Sequence, residues 1–273
     1  RQMCIRDRAC PVRILGHHEL ANDTLGGEPV SLVYCTLCRT PVFYHREVDG
    51  DVLDFETSGL LLNSNKVMVD RQTDTLWNQL TGEAFAGPLA GTVLERLPMT
   101  VTTWADWIAS HPDTDVVQVP TLGLDSEFQP IGGYSYEPGD AYADYYADGE
   151  LWFPAFRVPD AFDEMDEVVT LDYRGVRLAI GLDALLQAGG LVTEVAGEPV
   201  VVVASGNGAR VYLAEPGFEI VDGEVRFDGE PVDVAEDAIT LPDGTRLRRL
   251  VSGQSFWFAW YGNFPGTEWW PEG

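Results

Sequence analysis

Lysine is nearly missing from this chain: Lys66 stands alone among 17 basic residues, the others being arginine, and together they face 44 acidic residues. The net charge of −27 excludes the electrostatic footprint of a nucleic-acid or anionic-membrane binder, because both partners are polyanions. No stretch approaches the roughly 18 consecutive apolar residues of a membrane-spanning helix, so no membrane insertion is expected of the residues present. Familiar site signatures are absent too. No D-x-D-x-D-G loop with a Glu as last ligand occurs, and D-A-Y-A-D-Y-Y-A-D at 140–148, the nearest approach, lacks the spacing of a calcium loop. No G-x-S-x-G elbow marks a hydrolase nucleophile. G-P-L-A-G-T at 87–92 lacks the G-K-[ST] ending and following helix of a phosphate loop and reads as a turn. Only one C-x-x-C pair occurs, Cys35 and Cys38, so a closed zinc knuckle built from two such pairs is excluded. A helix start, where a thioredoxin-like pair sits, is also missing there.

What is present is enough apolar residue, 45% of 273, for a folded core. So acidic a surface repels itself at low salt, whereas at about 1 M salt the Debye length falls to about 3 Å and the repulsion is screened. A salt-loving, halophilic source is the reading that follows. The opening R-Q-M-C-I-R-D-R has no apolar period and no initiator, so residues 1–8 carry no structural expectation and the chain reads as N-terminally truncated. An extracytoplasmic location follows if a leader was lost with that segment.

An internal repeat organises the rest. G-G-E-P-V-S-L-V at 26–33 matches A-G-E-P-V-V-V-V at 196–203, and V-D-G turn signals follow at 48–50 and 221–223. W-A-D-W-I-A-S-H-P-D-T (104–114) and W-F-A-W-Y-G-N-F-P-G-T (257–267) share W-x-x-W-x-x-x-x-P-x-T. Short Val-, Leu-, Phe- and Tyr-rich runs bounded by Gly, Asp and Pro predict a mainly β fold with minor helix: two tandem antiparallel β-rich units. The expected layout is a first repeat at 9–117 carrying the site, an irregular connector at 118–165 and a degenerate second repeat at 166–273. Short helices are expected near 13–21, near 182–188 and at each Trp-containing end. Glu28 and Glu198, and Trp104 and Trp257, recur in both halves and are assigned to structure.

R-I-L-G-H-H-E-L-A-N-D, G-G-E-P-V-S-L-V-Y-C-T-L-C, S-G-L-L-L-N-S-N-K-V-M-V-D-R-Q-T-D-T-L-W-N-Q and G-P-L-A-G-T, with W-A-D-W and H-P-D-T, together resemble the domain-of-unknown-function 3179 family over most of the chain. The resemblance implies a fold and no reaction. It also implies a β-hairpin before the R-I-L segment, Pro after the first Cys and Gly after the second, where this chain has Thr36 and Arg39, and Asp where it has His45.

Superposing the Gly-Glu-Pro segments puts Cys35 opposite Ser205, Cys38 opposite Gly208, His18 opposite Ala188 and Glu19 opposite Gly189, so the reactive set belongs to the first half alone. Helical spacing places Leu15, His18, Glu19 and Asn22 on one stripe, with His17 rotated about 100° from His18. C-T-L-C lies between strand-like runs and is expected at a hairpin tip, its sulfurs within about 4 Å with His18 the nearest imidazole. Three readings stay open for it: a zinc or copper site of Cys35, Cys38 and His18, with Glu19, Asp23 or His45 as further ligand or orienting group; a disulfide or thiol redox pair; or silent core cysteines. Arg46, Asn63 and Asn65 are candidates to line a polar pocket for a small molecule, through alternation on a strand. Asp70 and Arg71 are catalytic candidates that D-R-Q-T-D-T also explains as a turn. A non-catalytic scaffold holding a metal ion or polar ligand is the alternative to an enzyme.

Overall fold

The computed structural model describes residues 8–118 and 141–271, so most of the 1–8 stretch and residues 119–140 of the expected connector lie outside the described residues. Antiparallel sheets dominate, joined by five short helices among the described residues: α1 (Val12–His18), α2 (Trp104–Ser110), α3 (Ala143–Asp148), α4 (Leu182–Ala188) and α5 (Trp257–Asn263).

α1 is shorter than its spacing predicts. Glu19 takes a left-handed conformation (φ 59°) and its N–H closes on Leu15, ending the helix, and Leu20–Leu25 then pairs as a strand with Glu28–Cys35. A helix this short cannot hold itself in water, so strand pairing decides where it stops. The stripe of Leu15, His18, Glu19 and Asn22 is therefore broken: Asn22 lies on the strand and its amide donates to the Phe55 carbonyl at 2.8 Å.

Each half opens alike. α1 precedes strands Leu20–Leu25, Glu28–Cys35 and Thr40–His45; α4 precedes Gly190–Val195, Glu198–Ser205 and Gly208–Leu213, with equal element lengths. Leu20 pairs with Val33 as Gly190 pairs with Val203, and Leu25 with Glu28 as Val195 with Glu198. Each half also closes with a parallel pair, Arg8 with Asp115 and Leu178 with Glu268. The V-D-G signals form two-residue turns, since Asp49, Gly50, Asp222 and Gly223 all have positive φ. The central turn differs. Cys35 pairs with Thr40 across four intervening residues, whereas Ser205 pairs with Gly208 across two. Cys35 thus matches Ser205 as expected, but Gly208 matches Thr40, and Cys38 belongs to a two-residue enlargement with no counterpart.

The Trp-containing helices cross over. At the start of α5, the Phe256 N–H donates to the Cys38 carbonyl at 2.9 Å, on the first half's turn. Before α2, Val101 lies on the second half's turn so closely that a Cβ on Gly208 would come 2.1 Å from its carbonyl oxygen. Burial is unequal: Trp257 and Trp260 are wholly enclosed, while Trp104 is 54% exposed, so the structural role expected of Trp104 is not a core role. One core joins Val33, Cys35, Phe55, Met68 and Trp77 of the first half to Phe256–Trp260 of the second. We propose that residues 9–117 and 166–273 are copies of one unit that exchange their terminal helices. An experimental structure in which either turn met its own half's helix would overturn that reading.

Candidate functional site

Strand Glu28–Cys35 carries Cys35 at its end, and the turn brings Cys38 back so that the two sulfurs lie 2.8 Å apart, at the expected hairpin tip. Cys38 is fully buried and Cys35 is 1% exposed. The neighbouring hairpin Phe55–Leu62/Asn65–Asp70 turns at Asn63 and Ser64, both with positive φ, and delivers three groups to the pair. The Ser64 carbonyl lies 3.3 Å from the Cys38 sulfur. Asn65 is buried with its side chain bearing on Cys38. Lys66, whose side chain is 6% exposed, ion-pairs with Glu19, and the other Glu19 oxygen accepts from the Thr36 hydroxyl at 3.1 Å.

These surroundings separate the two thiols electrically. Burial opposes ionisation of Cys35, but hydrogen bonding from Cys38, the backbone N–H groups of Lys66 and Cys38, and the Lys66 charge outweigh it and hold its pKa below the ordinary thiol value. Burial, together with Cys35 alongside, pushes Cys38 well above that value, against smaller opposing pulls from Asn65 and the Lys66 N–H. Cys35 is thus the more readily ionised of the two thiols and Cys38 the one that keeps its proton, the asymmetry of a nucleophile and its resolving partner.

α3 covers the turn. The Tyr145 hydroxyl donates to the Leu37 carbonyl at 3.0 Å and the Tyr146 hydroxyl to that of Thr36 at 2.6 Å. Burial, then the two cysteines, raise the Tyr145 pKa and keep that donor protonated. Arg39, left-handed at φ 50°, stacks over the Tyr146 ring at 5.0 Å and ion-pairs with Glu167 at 3.3 Å. That conformation gives a physical reason for the glycine the family resemblance implies at this position.

Several expected ligands are committed elsewhere. Asp23 and His45 both sit opposite Val30, five residues along the strand from Cys35, or about 17 Å at strand rise. Asp23 pairs with Arg8, and His45 lies 3.2 Å from Glu28. Glu19 is held by Lys66 and Thr36. His18 ends α1, its pKa lowered by burial and by neighbouring His17. Among the described residues no group of three or more His, Cys, Asp and Glu side chains is placed to hold a metal ion, so the expected Cys35, Cys38 and His18 set is not assembled.

The polar candidates scatter as well. Arg46 bonds the Leu53 carbonyl and Asp54, each within 2.9 Å, while Asn63 accepts from the Phe156 N–H, and only Asn65 reaches the cysteines. Alternation failed because Asn63 lies in a turn. Asp70 accepts from the Trp77 indole at 2.9 Å and from the Thr73 N–H at 2.7 Å, which makes it the buried brace of the D-R-Q-T-D-T hairpin. Arg71 pairs with Glu56 on the surface. Lys66, Tyr145 and Tyr146 were not foreseen as site residues; for Lys66 the available signal was its singularity among arginines.

The family model described as "Protein of unknown function (DUF3179)" matches residues 5–267. The chain belongs to the DUF3179 family. No curated protein and no solved structure matches it. Membership in DUF3179 assigns no chemistry, which is left to the dithiol and its surroundings. No helix among the described residues is long and apolar enough to cross a membrane.

Proposed function

We propose that Cys35 and Cys38 form a reversible dithiol–disulfide centre, with Cys35 the nucleophile and Cys38 the resolving thiol. The observation that carries this is the 2.8 Å contact between two sulfurs of opposite ionisation tendency beside a buried ammonium. Closing that gap to the about 2.0 Å of a disulfide needs sulfur movement under about 1 Å, so the pair can cycle without refolding the hairpin. Oxidation removes two electrons and two protons from the pair and passes the electrons to an external oxidant. The reduced protein, equilibrated in dithiothreitol redox buffers and quenched in acid, is expected to show one reversible two-hydrogen mass change localised to the peptide spanning Cys35 and Cys38. Elemental analysis is the counter-test: stoichiometric zinc or copper, lost on replacing both cysteines with Ser, would put a metal site in place of the redox pair.

The acidic surface supports a second reading, adaptation to concentrated salt, because surface repulsion at −27 is relieved as the Debye length shortens. The melting temperature is expected to rise continuously with KCl into the molar range. A flat or falling melting temperature up to about 2 M, where the Debye length is below about 3 Å, would remove it.

A further inference from the structure

Both sulfurs are sealed from large reagents. The Tyr145 and Tyr146 hydroxyls pin α3 over the turn, and the Ser64 hydroxyl donates to the Phe153 carbonyl at 2.8 Å, tying the adjacent hairpin to the same covering segment. A protein or peptide disulfide must align with the attacking thiolate, which requires that segment to lift away. Within the seal, hydrogen-bonding capacity is unused: Asn65 is fully buried, its amide bears on the Cys38 sulfur, and its side-chain oxygen has no hydrogen-bond partner. Buried polar groups are nearly always paired, so this one points to a small polar guest. Lys66 supplies a further sign. The other 16 Lys/Arg cations of the chain are arginines, which hold their protons under all ordinary conditions, and the single ammonium lies beside this pair, ion-paired with Glu19.

We propose that hydrogen peroxide is the small guest that reaches the Cys35–Cys38 pair, so that its oxidant is a peroxide and not a disulfide; this rests on the dithiol reading above. The Cys35 thiolate attacks one peroxide oxygen, an S–O bond forms and the O–O bond breaks. Cys35 becomes a sulfenic acid, and the departing hydroxide takes a proton from the Lys66 ammonium to leave as water. The Cys38 thiol then attacks the Cys35 sulfur; the S–S bond forms, the S–O bond breaks, and the hydroxyl leaves as a second water with the Cys38 proton. Two electrons from the thiols reduce one peroxide, and Lys66 regains its proton from solvent. The Asn65 side-chain oxygen accepts from the bound peroxide, using the atom that otherwise lacks a partner. A guanidinium in place of Lys66 would keep the charge but withhold the proton.

The reduced full chain is mixed in parallel with hydrogen peroxide and with oxidised glutathione at equal concentration, quenched in acid, and its disulfide counted by intact mass. Peroxide is expected to form the Cys35–Cys38 disulfide about tenfold faster or more, reflecting the sealed site. Lys66→Arg and Asn65→Ala are each expected to lower the ratio of the peroxide rate to the glutathione rate about tenfold. Should Asn65→Ala not fold, Asn65→Ser serves, and the oxidant preference of the unaltered protein needs no variant. Faster oxidation by glutathione than by peroxide, or a rate ratio indifferent to both substitutions, would overturn the proposal. If neither oxidant closes the pair in the folded chain although both do so in denaturant, the dithiol reading itself fails; closure by glutathione alone defeats only the peroxide assignment.

Discussion

Cys35→Ser is expected to abolish the oxidisable pair outright, with no sulfenic acid and no disulfide between positions 35 and 38 under any oxidant. Cys38→Ala should behave differently. The nucleophile remains, its resolving partner is gone, and oxidation by peroxide should stop at a Cys35 sulfenic acid that a carbon-acid trap labels stoichiometrically. The same variant carries a pH signature. In the parent protein Cys35 ionises below the ordinary thiol range, in part because Cys38 hydrogen-bonds to it. Without that partner the thiolate loses a stabilising contact, so its appearance, followed by ultraviolet absorbance, should shift to higher pH. A shift to lower pH, or a Cys38→Ala protein that still forms an intramolecular disulfide, would contradict the assigned roles.

Trp257→Ala is expected to cost about 3–5 kcal/mol of stability, the range for deleting a fully buried large aromatic. Its ring packs edge-on to Phe162 at 5.2 Å and Trp269 at 6.0 Å and against Tyr261 at 4.9 Å, and its indole N–H donates to the Pro159 carbonyl at 2.9 Å, so the deletion leaves both a cavity and an unpaired acceptor. Trp104→Ala, at the matching place in the other repeat signature, should change stability by no more than about 0.5 kcal/mol, since half that residue faces solvent. Chemical denaturation of the two variants side by side decides the matter. Equal losses would mean that the two Trp helices do comparable packing work, against the unequal burial.

Much of the β framework was legible because it rests on local chemistry. Gly after Asp supplies the positive φ of both V-D-G turns, and C-T-L-C between two β-branched and aromatic runs predicts a hairpin tip. The misplaced details depend on longer-range choices. Glu19 stops α1 in a left-handed conformation that glycine usually marks, so the sequence offered no warning, and the helical stripe ran on to Asn22 in error. Cys38 aligned with Gly208 because ungapped matching cannot see a turn enlarged by two residues. Lys66 approaches Cys35 from another hairpin, a juxtaposition that no spacing within the C-T-L-C segment encodes. Asp23 and His45 look close to the cysteines in sequence, yet strand rise carries them to the far end of the hairpin.

The seating of α5 on the turn that holds Cys38 has a consequence for biosynthesis. The first half emerges from the ribosome with its turn uncapped and its core lacking Trp257, Phe258 and Trp260, which are made more than 200 residues after Cys35. Vectorial folding can therefore assemble the hairpins early but cannot enclose the two thiols until nearly the whole chain has been released. Throughout that interval Cys35 and Cys38 are open to the thiol–disulfide milieu of the compartment. The newborn protein thus meets large oxidants and reductants that its finished form shuts out.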